Sequence, residues 1–148
     1  TLCALAFHDV FAAGASYFGV ADCGALASHT HKFESRYLDS LIGPYPEAMD
    51  LYRSRSPLEH AAGISCPVLL LQGADDKVVP PAQAEVMVDA LESRGIPHAY
   101  VLFAGEGHGF RKAETIMAAH AAELSFYGQI FGFTPAGGIP TLEIISGA

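Results

Sequence analysis

The strongest constraint on this chain is the run Pro67-Val68-Leu69-Leu70-Leu71-Gln72-Gly73. It has strand length, and its apolar residues do not alternate with polar ones. A strand of that kind must be covered on both faces, as central parallel strands are. The residues beyond Gly73 supply such covering elements. Pro81 is tolerated in a first helical turn, and Ala84, Val86-Met87-Val88 and Leu91 predict a helix that stops at Arg94-Gly95. His98 to Phe103 is the next strand. After a Gly-rich loop, Lys112 to Phe131 predicts a long amphipathic helix with Ile116, Ala119, Leu124, Tyr127 and Phe131 inward. Strand, helix, strand, helix in short alternation implies an α/β fold: a doubly wound, mainly parallel sheet with right-handed crossovers and flanking helices.

The first half is less regular. Thr1 to His8 is helical from its first residue with no capping Ser, Asp or Asn before it, so we expect the chain to be truncated before Thr1. Phe11 to Val20 is apolar and rich in small residues, fitting a buried strand. Phe33, Tyr37, Leu38 and Ile42 follow a helical spacing that ends at Gly43-Pro44, and Met49, Leu51 and Tyr52 predict a short helix closed by Ser56-Pro57. We expect residues 1–133 to form a partial domain and residues 134–148 an irregular, mobile C-terminal tail. No internal repeat is present.

At 148 residues, 51% hydrophobic and only 16% charged, the chain suits one domain, or a slice of a larger core, better than two domains. No apolar stretch approaches the roughly 20 residues of a membrane span, and there is no signal-peptide pattern. A net charge of −8, with no basic stripe, argues against nucleic acid or anionic membranes as partners. Cys3, Cys23 and Cys66 form no CxxC pair, and are expected to be small buried residues in a reducing, cytoplasmic setting.

Functional groups of such sheets gather in loops at the carboxyl ends of strands. Two loops qualify: Gly73-Ala74-Asp75-Asp76-Lys77-Val78-Val79-Pro80, and Gly105-Glu106-Gly107-His108-Gly109-Phe110. Asp76 and His108 stand 32 positions apart, with one helix and one strand between them. Neighbouring parallel strands lie about 4.8 Å apart, close enough to bring a carboxylate against an imidazole. Order and placement match the acid and base of an α/β-hydrolase triad, which runs Ser, Asp, His along the chain. In such a triad the imidazole takes the nucleophile's proton and later returns it to the leaving group, while the carboxylate fixes the tautomer. Glycines 105, 107 and 109 let the His loop turn sharply.

The run P-V-L-L-L-Q-G-A-D-D-K-V-V-P-P, followed by E-G-H-G-F, resembles the end of the prolyl oligopeptidase family, closest to its acylaminoacyl-peptidase and dipeptidyl-aminopeptidase-like branch. Gly43-Pro44-Tyr45-Pro46, Tyr52 to Leu58 and Gly19-Val20-Ala21-Asp22 resemble further stretches of that branch, so the likeness covers roughly residues 1 to 133. It puts the acid at Asp76 in preference to Asp75. It also implies a G-x-S-x-G-G nucleophile elbow just upstream of the opening helix, an oxyanion hole built partly from that elbow, and an N-terminal β-propeller. None of these is in this sequence; Gly14-Ala15-Ser16-Tyr17-Phe18-Gly19 lacks the elbow spacing, so Ser16 is not expected to be a nucleophile. Gln72 replaces a His often found before the glycine.

The expected function is therefore a serine-type peptidase catalytic-domain fragment, acting on peptide or acyl-amino bonds through an acyl-enzyme. It holds Asp76 and His108, lacks the nucleophile and is inactive alone. No cofactor and no metal are implied, and substrate-binding residues are unknown. The expected partners are peptide substrates, the N-terminal portion of the same protein and, by exposed apolar surface, other copies of the chain. The alternatives are a fragment of a carboxylesterase or dienelactone-hydrolase-like protein, or a non-catalytic interaction remnant. His29-x-His31 has no accompanying ligand cluster for a zinc site. His8, His60, His98 and His120 show no partner pattern. Glu106 is either a solvated loop acid or a group for a substrate ammonium. Tyr17 and Tyr45 either pack or line a cleft.

Overall fold

The computed structural model describes residues 1–29 and 36–146. Three parallel strands, β1 (Gly14–Tyr17), β2 (Val68–Gly73) and β3 (His98–Phe103), lie in the order β1-β2-β3. Gly14 pairs with Val68, and Val68 with His98, so the strands start level. The Leu-rich strand is central, and all six of its residues are buried. Alternate side chains feed two cores. Val68 and Leu70 join Leu2, Leu5, Ile64, Met87 and Leu91 on one face, under α1 (Leu2–Phe7) and α5 (Ala82–Ser93). Leu69 and Leu71 join Ala99, Ala119 and Phe126 on the other, under α6 (Ala113–Phe131). Full burial of each leucine contributes about 1.5–3 kcal/mol.

Between β1 and β2 lie α2 (Cys23–His29), α3 (Tyr37–Leu41), α4 (Met49–Arg55) and a 3-10 stretch, Pro57–Gly63. Phe33 lies outside the described residues. In α3 no residue is buried, and Tyr37 and Leu41 are exposed, so its expected inward face is not formed. The helix α5 ends as its sequence demands: Gly95 takes a φ of 65°, and the Ile96 amide returns to the Leu91 carbonyl at 3.0 Å.

Four further expectations need correction. The first strand is only Gly14–Tyr17: Phe11 stays exposed, and Phe18, at φ 53°, turns the chain out of the ladder. The buried face of α6 is Thr115, Ala119, Ser125, Phe126 and Gly128, while Ile116, Leu124 and Phe131 are exposed. Apolar residues all round this helix make its period ambiguous. The tail has no helix or strand of its own, yet it is docked. Ile145 exchanges two backbone hydrogen bonds with His98, and Leu142 is held by Ser125 and Gln129. Of the cysteines, only Cys66 is buried; Cys23 is half-buried and Cys3 exposed, and all three are free thiols.

Candidate active site

Register brings the two predicted loops together. Gly73, the last residue of β2, pairs with Phe103, the last of β3. Beyond them the loops stay laced: the Ala74 amide donates to the Phe103 carbonyl at 2.9 Å, and the Asp75 amide to the Glu106 carbonyl at 2.8 Å. The approach is so close that a Cβ at position 73 would lie 2.4 Å from the Gly107 carbonyl oxygen and 2.5 Å from that of Glu106. Only glycine fits there. The His loop then turns at Gly105, φ 71°, and Gly109, φ 99°.

Asp75 is exposed in the turn, and Asp76 is buried. Both carboxylate oxygens of Asp76 are used. Its Oδ1 accepts from the Val78 and Val79 amides, each at 2.9 Å. Its Oδ2 accepts from His108 Nδ1 at 2.9 Å and from the Gln72 side-chain amide at 3.2 Å. With an acceptor-only carboxylate on Nδ1, that nitrogen carries the ring proton, and Nε2 keeps the lone pair a base requires. The Asp76 side chain is 0% exposed, and that of His108 is 42% exposed. One group is sheltered and the other presented to solvent.

Several neighbours were not legible in the sequence. Gln72, fully buried, points its amide at Asp76 and at the Val79 carbonyl, 3.0 Å away. Glu106 is neither solvated nor aimed at a ligand. It is buried, and its carboxylate accepts from the Arg111 and Lys112 amides at 3.0 Å each, at the start of α6. These bonds, led by the one from Arg111 and joined by Thr115 and Lys112, hold its carboxyl below the usual range against the opposing effect of burial. Gln83 clamps the chain after β1, accepting from the Ala21 and Asp22 amides at 2.9 and 2.8 Å. Gln72 stood out as a polar residue in an apolar run and Glu106 as an acid in a Gly-rich loop, but spacing named a partner for none of the three.

The remaining candidates resolve simply. Ser16 is buried within β1, opposite Leu70. Tyr17 donates to Glu123 at 2.7 Å, and burial together with that carboxylate pushes its phenol up. Tyr45 lies 3.0 Å from the Ser28 hydroxyl and edge-on to Tyr52. His98 is buried, with Nδ1 on the Ile96 carbonyl, whereas His8 and His120 are exposed; His60 packs on Phe7. His31 and the side chain of His29 lie outside the described residues. Among the described residues, no group of three or more His, Cys, Asp or Glu could hold a metal ion, and no helix is long and apolar enough to cross a membrane.

A parallel sheet, helices on both faces and an acid–histidine pair at its carboxyl edge define an α/β-hydrolase. The prolyl oligopeptidase family model matches residues 1–134, and the chain belongs to that family. It is 34% identical over 138 residues to dipeptidyl aminopeptidase BIII of Pseudoxanthomonas mexicana, covering 89% of this chain and 20% of the relative. Among solved structures it resembles a puromycin-hydrolyzing peptidase of Mycobacterium tuberculosis at 50% identity and a TM-score of 0.93, over 98% of this chain and 22% of that one. An acylaminoacyl peptidase of Pyrococcus horikoshii shares the fold at 23% identity and a TM-score of 0.79, over 90% and 22% of the two chains. The chain thus spans about a fifth of the length of these relatives.

Proposed function

We propose that this chain supplies the acid and base of a serine-type peptidase that cleaves peptide or acyl-amino bonds through an acyl-enzyme. The observation that carries the reading is the 2.9 Å bond between buried Asp76 and solvent-presented His108, at the carboxyl ends of adjacent strands. In this reading Asp76 holds the imidazole and stabilises its charged form. His108 Nε2 takes the proton of a serine outside this chain and returns it to the leaving amine. The names of the relatives, a dipeptidyl aminopeptidase and a puromycin-hydrolyzing peptidase, favour short peptides or aminoacyl amides as substrates. The partner of these residues is then the rest of the same protein, and three free thiols suit a reducing, cytoplasmic setting.

The deciding experiment assays the full-length protein on an aminoacyl-naphthylamide and on a nitrophenyl ester, with and without His108→Ala. Amide hydrolysis that disappears with His108→Ala supports the peptidase. Ester hydrolysis alone would favour the esterase, and a full-length protein without a G-x-S-x-G-G serine would leave an interaction remnant. The 148-residue chain alone should be inactive on both substrates.

A further inference from the structure

Phe18 is the sole non-glycine residue with a positive φ among those described, at 53°. A bulky aromatic residue rarely adopts that conformation, and such outliers persist where the surroundings demand them. Its position is telling. It directly follows the last paired residue of β1, and its amide still donates to the Leu71 carbonyl at 3.1 Å. Glycine would be the natural occupant. The glycine here is one residue later, at 19, where a Cβ would fall 2.3 Å from the Ser16 hydroxyl and 2.9 Å from the Leu2 side chain.

What the strained residue provides is its ring. The Phe18 ring centre lies 5.2 Å from that of His108, tilted by 56°. Behind it Phe110 packs edge-on at 4.7 Å, and Phe103 packs edge-on against Phe110 at 4.8 Å. Phe103 and Phe110 themselves pack against the core beneath α6. The ring is therefore backed by a continuous aromatic stack rooted in the interior. His108 needs such a shelf. Its side chain is 42% exposed, and its hydrogen bond to Asp76 fixes one ring atom while leaving the plane free to swing.

We propose that Phe18 is a positioning residue for His108. Its left-handed backbone presents an aromatic shelf that holds the imidazole plane and shields the Nδ1–Asp76 bond from water. Through it β1, which carries neither member of the pair, controls a site built on β2 and β3. This rests on the reading of Asp76 and His108 as acid and base.

The test is proton NMR of the full-length protein with selectively 15N-labelled histidine, following the downfield Nδ1 proton of His108. Phe18→Gly removes the ring and relieves the positive φ. Relief of the positive φ offsets part of the lost packing and the added chain entropy, so the melting midpoint should fall only modestly. The Nδ1 proton should nonetheless exchange with water about tenfold faster or more. Phe18→Tyr keeps the ring and should keep the slow exchange. If Phe18→Gly does not fold, Phe18→Leu makes the same comparison with an apolar side chain and no ring. An unchanged Nδ1 lifetime in Phe18→Gly or Phe18→Leu, or a loss in Phe18→Tyr equal to theirs, overturns the proposal. Asp76→Asn serves as the control. If the resonance is missing in the unsubstituted full-length protein or survives Asp76→Asn, the acid–base reading itself fails, and the shelf with it.

Discussion

Four donors converge on the two oxygens of Asp76, and they decide what a substitution there would do. In Asp76→Asn the Val78 and Val79 amides still require an oxygen facing them. The new NH2 is therefore forced towards His108, where it donates to Nδ1 and moves the ring proton to Nε2. The base is lost without loss of fold. In the full-length protein we expect kcat to fall by about 10³–10⁴ with KM little changed, measured by steady-state hydrolysis of an aminoacyl-naphthylamide. Glu106 gives a second prediction. Its carboxyl titrates below its ordinary value because the Arg111 and Lys112 amides bind the charged form. A depressed folded-state pKa contributes stability above the unfolded-state value, and that contribution is lost as pH falls through the folded-state value. Protection factors of the Arg111 and Lys112 amides, taken relative to the slower intrinsic exchange in acid, should therefore fall on acidification below about pH 4.5. Glu106→Gln should flatten that dependence.

At the scale of elements, β2 is the hinge of both the fold and its legibility. Its unbroken apolar run dictated a strand covered on both faces, and every residue of it is buried. Leu70→Ala should cost about 2–5 kcal/mol in denaturant melts, because helices on either face leave the cavity little room to collapse. Gly73→Ala should be more disruptive to the site than its size suggests. The new methyl meets two backbone carbonyls at 2.4 and 2.5 Å, which cannot swing aside as a side chain can. We expect the Asp75 amide, protected by the Glu106 carbonyl in the parent, to exchange freely in that variant. The Asp and His loops were legible for the same reason as the strands: a parallel ladder carries equivalent ends to one edge. Gln72, Glu106 and Phe18 were not. Their roles come from side-chain bonds to loop residues four to seven positions along the chain and from one backbone angle, neither of which has a period in sequence. The helix α6 failed differently. Its mean apolarity is high on all sides, so spacing alone selected Ile116, Leu124 and Phe131, residues that face outward.

For the molecule as a whole, the surface is unusually apolar in one region. Met117 is 72% exposed and Phe131 55% exposed along α6. Isolated exposed apolar residues are ordinary, but several on one helix invite association. Sedimentation of the 148-residue chain should show concentration-dependent mass. Met117→Lys together with Phe131→Lys should shift it towards a 15.6 kDa species without lowering the melting midpoint. A parent chain that remains at that mass at high concentration would remove the basis for this expectation.

The docked tail bears on how such association would end. Ile145 occupies the outer edge of β3 at His98, whereas no strand among the described residues pairs with the outer edge of β1, where only the Ala15 amide meets the Tyr127 phenol. A sheet free on both sides can add copies indefinitely, as fibrils do. Here the two flanks are unequal, so joining by strand addition favours meeting open flank to open flank. Two copies joined in that way turn their Ile145-capped flanks outward, which favours a closed pair over a growing filament.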